Sequence, residues 1–190
     1  KEIQFFGNPF NGKIKDCNDC DHQAKQSVKY TKLSFLQKIK ELQTNVTNGI
    51  DVYNNALLIG NAYYNASYYG NGRMFYYNAI FGEYGNTISQ SNKSKLYNMK
   101  QVQKYYNIAL KAAADNEQKA KITYLLTKIE RNNFYFDNYF SKENYWGYDQ
   151  VMVKKWSGYK QLKDNYSDTK YYQEVIKECG YFRKYLGLQQ

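Results

Sequence analysis

Cys17 and Cys20 stand in Asp16-Cys17-Asn18-Asp19-Cys20-Asp21-His22, the one local cluster whose residue types invite chemistry. A Cys-x-x-Cys pair can chelate zinc, cycle as a dithiol or close a small disulfide. As a zinc site it offers Cys17, Cys20 and His22. The fourth ligand would be a nearby Asp or the distant Cys179, and the second pair that structural sites normally supply is missing. A c-type haem attachment needs His directly after the second Cys, where Asp21 intervenes. Redox work would set the motif at the start of a helix in a thioredoxin-like α/β fold, and no such strands are evident. The spacing therefore points first to a local disulfide or paired structural thiols, with a small metal or redox element as the alternative. A disulfide implies an oxidising compartment, so a periplasmic or cell-surface location is expected, while a cytoplasmic one stays open. Cys179, on an apolar stripe, reads as a small core residue.

Other chemistry has little to build on. His22 is the only histidine, so any Ser-His or Cys-His nucleophile would have to use it. Asp164 and Asp168 flank turn residues and read as helix caps. Asn71-Gly72 and Gly82 to Gly85 lack the Lys and Ser or Thr of a phosphate loop. No enzyme and no cofactor is expected, zinc apart.

Lys and Arg outnumber Asp and Glu by 27 to 17, giving a net charge of +10. Such a charge favours nucleic acid, acidic protein or an anionic surface as partner. The lysines, however, recur at helical intervals, as in Lys25, Lys29, Lys32, Lys38 and Lys40, which is the pattern of a solvated helix face. Among 190 residues there are 23 Tyr, many in pairs such as Tyr63-Tyr64, Tyr68-Tyr69, Tyr76-Tyr77, Tyr105-Tyr106 and Tyr171-Tyr172. Each pair can pack one ring between helices and leave one at the edge. Alternatively the rings line a groove that binds glycan or nucleic acid, with Arg73, Lys104 and Lys121 supplying charge.

The elements that must position these residues are helical. A lone proline, Pro9, leaves helices uninterrupted. Residues 1–21, with Gly7, Pro9 and Gly12, read as an irregular N-terminal arm carrying the Cys-x-x-Cys, and 22–190 as one helical domain. Phe5, Phe6 and Phe10 lie so close together that the arm should pack on the helices or on a partner. Val28, Leu33, Leu36, Ile39 and Leu42 predict a helix from about Gln23 to Val46. A second runs from Val52 to about Tyr69, with a hairpin partner over Arg73 to Phe81. Gly82 to Asn98 reads as a long surface loop. Helices follow through Val102 to Ala113 and Ala120 to Ile129, then from about Gln150 to Asn165. The last begins after Ser167-Asp168-Thr169, a start signal because short oxygens accept free backbone N–H groups. No apolar run reaches the roughly 20 residues needed to cross a bilayer. Lys1 in place of Met reads as a processed protein or a piece of a longer one.

Ile59-Gly60 and Tyr63, followed by Gly72, Tyr76 and Ala79, resemble one tetratricopeptide repeat with conservative replacements. Tyr106 and Ala109, after Val102, resemble the second helix of another. Inserts around Asn86 and Tyr145 break the period, and no Pro separates the units. The resemblance implies an all-α fold of antiparallel helical hairpins stacked as a short right-handed solenoid. It also implies a non-catalytic protein–protein interaction scaffold, a subunit or segment of a larger cell-envelope assembly whose partners are other proteins.

Overall fold

The computed structural model describes residues 4–15, 26–72, 90–140 and 155–188, and over these the chain is all-helical apart from one isolated antiparallel bridge, Gln4 to Thr31. The helices are α1 (Lys32–Thr47), α2 (Val52–Asn65), α3 (Gln90–Leu96), α4 (Lys100–Ala112), α5 (Asn116–Tyr135), α6 (Ser157–Tyr166), α7 (Lys170–Glu178) and α8 (Gly180–Leu186). A π-helical turn, Phe136–Phe140, extends α5. Among the described residues no helix is long and apolar enough to cross a membrane.

The helix expected from about Gln23 starts at Lys32, and residues 26–30 are not helical. A capping box sets the start: Ser34 N donates to Thr31 Oγ1 and Thr31 N donates to Ser34 Oγ. The inward face is the one that carries Phe35, which packs on Phe5 and Phe10. Phe35, Ile39 and Leu42 are buried, whereas Val28, Leu33 and Leu36 are more than half exposed. The surface loop expected from Gly82 contains α3, whose end is anchored by Leu96 and Tyr97 packed on Tyr68, Tyr69 and Phe136. Polar composition conceals such a helix because two side chains do the anchoring. The final helix is broken in two at Cys179, which is extended, ahead of Gly180. Arg183 Nη1 takes up the carbonyls of Ile176 and Lys177 that the break leaves open.

Packing follows chain order, α1 on α2, α2 on α4, α4 on α5, then α6 and α7 on α5. The broadest of these contacts, α2 on α4, is permitted by Gly60, where a Cβ would run into the Tyr106 ring. Beside it Tyr63 stacks on Tyr105 with centroids 5.8 Å apart, and Gln43 Nε2 donates to both hydroxyls. Helix α5 orients its neighbours through its carboxylates. Glu130 accepts from Ser157 N and Gly158 N at the head of α6, and Glu117 from Lys170 N and Tyr171 N at the head of α7. A negative charge at a helix N-terminus satisfies free N–H groups and complements the macrodipole.

Candidate functional site

The main polar feature of the interior is the seat of the N-terminal arm. Phe5 and Phe10 pack on Phe35 at 5.1 and 5.3 Å, and Phe10 also meets Tyr30 edge-on. Phe5 N donates to Tyr30 O, and Phe6 points out, 64% exposed. The chain then turns at Asn8-Pro9-Phe10-Asn11, where Asn11 N donates to Asn8 O and Phe10 N to Asn8 Oδ1. Asn at the first position and Pro at the second suit a β-turn.

Side chains from α2, α5 and the turn after α2 donate to the carbonyls of this arm. Asn61 Nδ2 reaches Phe10 O at 3.0 Å, and Asn65 Nδ2 reaches both Pro9 O and Asn11 O at 2.9 Å. Asn71 Nδ2 reaches Asn8 O at 3.2 Å. From α5, Tyr124 OH donates to Ile14 O at 2.8 Å and Lys128 Nζ to Lys13 O at 2.9 Å. Asn61 and Asn65 are one helical turn apart on α2, as are Tyr124 and Lys128 on α5, so each pair forms one wall of the groove. All five side chains are buried.

Asn61, Asn65 and Lys128 are held from behind. The Phe10 carbonyl can only accept, so the Asn61 amide nitrogen faces it and Oδ1 faces α4, where Tyr106 OH donates to it at 2.9 Å. Burial lifts the Tyr106 hydroxyl well above its ordinary ionisation range, which keeps it a donor. Asn65 Oδ1 accepts from Asn71 N and its carbonyl from Gly72 N, closing the turn that presents Asn71. The Lys128 ammonium lies 4.7 Å from the centroid of the Tyr64 ring, a favourable surrounding for a buried cation. The arm fills its seat: the cavity left between Asn11, Gly12, Lys13, Asn65, Tyr106 and Lys128 is only ≈ 20 Å³.

The residues singled out from sequence are distributed as follows. Cys17, Cys20, His22, Arg73, Tyr76 and Ala79 lie outside the described residues. Among the described residues no group of His, Cys, Asp and Glu could hold a metal. Cys179 is buried with its thiol 3.6 Å from Tyr159 OH. Gly60, Tyr63, Tyr106 and Ala109 meet at the α2–α4 contact, Ala109 fully buried, and Gly72 belongs to the turn behind Asn65. Lys104 leans on the Tyr105 ring, while Lys121 lines a cleft along the outer side of the arm with Lys13, Lys15 and Glu174. The described tyrosine pairs pack between elements, as in the stack of Tyr68 on Tyr97 at 4.4 Å. Basic and aromatic groups do share a cleft of ≈ 660 Å³, where Arg131 lies over the Tyr181 ring. Its two arginines are engaged internally, Arg131 with Asn132 Oδ1 and Arg183 at the end of α7.

The roles of Asn61, Asn65 and Lys128 are hidden in sequence, since a polar residue on a helix reads as surface; Tyr124 reads only as part of a helical stripe and Asn71 only as part of a turn. The available signal is in α2 itself, which is apolar on most of its circumference yet carries Asn55, Asn61 and Asn65. Amides on such a helix have to meet a partner inside. No family model, no curated protein and no solved structure matches this chain.

Proposed function

We propose that this chain is a non-catalytic scaffold that holds protein segments. In this reading the hairpins stack in the manner of tetratricopeptide repeats, within a larger assembly of the cell envelope. The observation that carries the proposal is the row of buried donors on α2, the turn after it and α5 that grips main-chain carbonyls from Asn8 to Ile14. Carbonyls are common to every peptide, so a groove that grips them holds a segment by its backbone, and the Phe5 and Phe10 seats add selectivity. Packing in chain order and the close approach at Gly60 are what a helical stack requires.

The test uses the full chain with Phe10→Asp and Ile14→Asp together, both in the arm, and its release from the groove is verified by rapid amide exchange of residues 8–14 before peptide is added. A fluorescent peptide of residues 4–15 is titrated in and its polarisation followed. Saturable binding that is lost when Asn65→Ala is added supports segment docking. A well-folded chain with its arm released that ignores the peptide at millimolar concentration defeats it.

A further inference from the structure

Gly12 is the arm residue whose place in the groove tolerates no side chain. A Cβ built there would stand 2.8 Å from both Asn61 Nδ2 and Asn61 Oδ1. A flexible side chain could swing away from such a clash, but Asn61 is pinned at both ends, by the Phe10 carbonyl and by the Tyr106 hydroxyl. Asn61 is 4% exposed and Tyr106 1%, so neither has solvent to move into. Gly12 has no positive φ that would itself demand glycine, which leaves the Asn61 amide as the cause of the requirement.

We propose that Asn61, held by Tyr106, makes the groove selective for glycine two residues after an aromatic. The partner it accepts is then a turn-forming Pro–aromatic–x–Gly–x–aliphatic segment, of the kind the arm supplies as Pro9-Phe10-Asn11-Gly12-Lys13-Ile14. This rests on the segment-docking reading and adds to it what the segment must be. The aromatic fills the seat beside Phe35 and Tyr30, Pro9 and the asparagines shape the turn, and the glycine slides past the Asn61 amide.

Two measurements test it. In the first, the Phe10→Asp, Ile14→Asp full chain, its arm shown by amide exchange to be released, is titrated with the peptide of residues 4–15 and with the same peptide carrying Gly12→Ala, so that the change lies in the ligand and cannot unfold the protein. The glycine peptide should bind at least about tenfold more tightly, since overpacking a close-packed site costs that much. Equal affinities overturn the selectivity while leaving segment docking intact; failure of both peptides to bind overturns the two together. In the second, amide exchange of residues 10–14 is followed in the otherwise unmodified full chain. Gly12→Ala should lower protection about tenfold beside Asn61 and by less than about threefold beside Asn61→Ala. An equal loss in both backgrounds overturns the role of Asn61.

Discussion

An amide that bonds two carbonyls at once contributes in proportion to what its loss leaves unmatched. Removing Asn65 strands the buried Pro9 O and takes one bond each from Asn11 O, at the edge of the seat, and from the Asn71 N–H. Each stranded group costs about 1–3 kcal/mol when water cannot reach it. Asn65→Ala is therefore expected to destabilise the fold by about 2–4 kcal/mol, less where the arm escapes to solvent and rehydrates. Urea unfolding followed by circular dichroism gives the loss, and exchange of residues 8–14 tells arm release from global opening. A loss under about 0.5 kcal/mol would mean that these bonds are no better than those to water. The role of Asn65 was hidden in sequence because asparagine is ordinarily a cap or surface residue, and its partners lie more than fifty positions away.

For the helices, the outcome turns on which face is inward. Phe35 is 1% exposed in contact with Phe5 and Phe10, while its neighbour Leu36 is 51% exposed. Phe35→Ala should cost about 3–5 kcal/mol, and Leu36→Ala should stay within about 0.5 kcal/mol. Similar losses in chemical denaturation would mean that α1 is rotated. Of the stripe expected from Val28, Leu33, Leu36, Ile39 and Leu42, Ile39 and Leu42 turn inward and the other three do not: leucine spacing reports a helix but not its buried face, and Phe35, in contact with Phe5 and Phe10 of the arm, sets that face. The Ser167-Asp168-Thr169 start was legible because the bond is local, Thr169 Oγ1 accepting from Tyr172 N. The head of α6 was not, because its acceptor, Glu130, sits on another helix, and the second acceptor at the head of α7, Glu117, was hidden for the same reason.

Across the whole molecule, the abundance of tyrosine gives the fold an alkaline limit. Burial, and then the Asp115 carboxylate, push the Tyr53 hydroxyl up to about 12, and burial also raises Tyr69, Tyr106 and Tyr171. These groups stay protonated when folded and ionise near their ordinary value, about 10, when unfolded. Their stabilisation is complete below about pH 10 and is lost as pH rises through the folded values. The urea midpoint should therefore hold level from neutrality to about pH 10 and fall steeply by pH 12. A midpoint unchanged at pH 12 would place the rings in water. The all-helical class was legible at this scale, from one proline and long stretches of helical period, whereas the docking of the arm on α5 has no sequence periodicity to reveal it.

The arm is also the first part of the chain to be synthesised of those that meet in the groove, and among the last to be seated. The wall formed by Tyr124 lies 110 residues downstream of Ile14, and Lys128 lies 115 downstream of Lys13. On the ribosome the Lys13 and Ile14 end of the arm must wait, without its α5 wall, while α1, α2 and α4 form, since contacts closing loops of that length come late. For that interval the nascent chain carries a carbonyl-rich, aromatic segment and no completed place to put it. A neighbouring finished copy, or a holding chaperone, would meet it before its own α5 does.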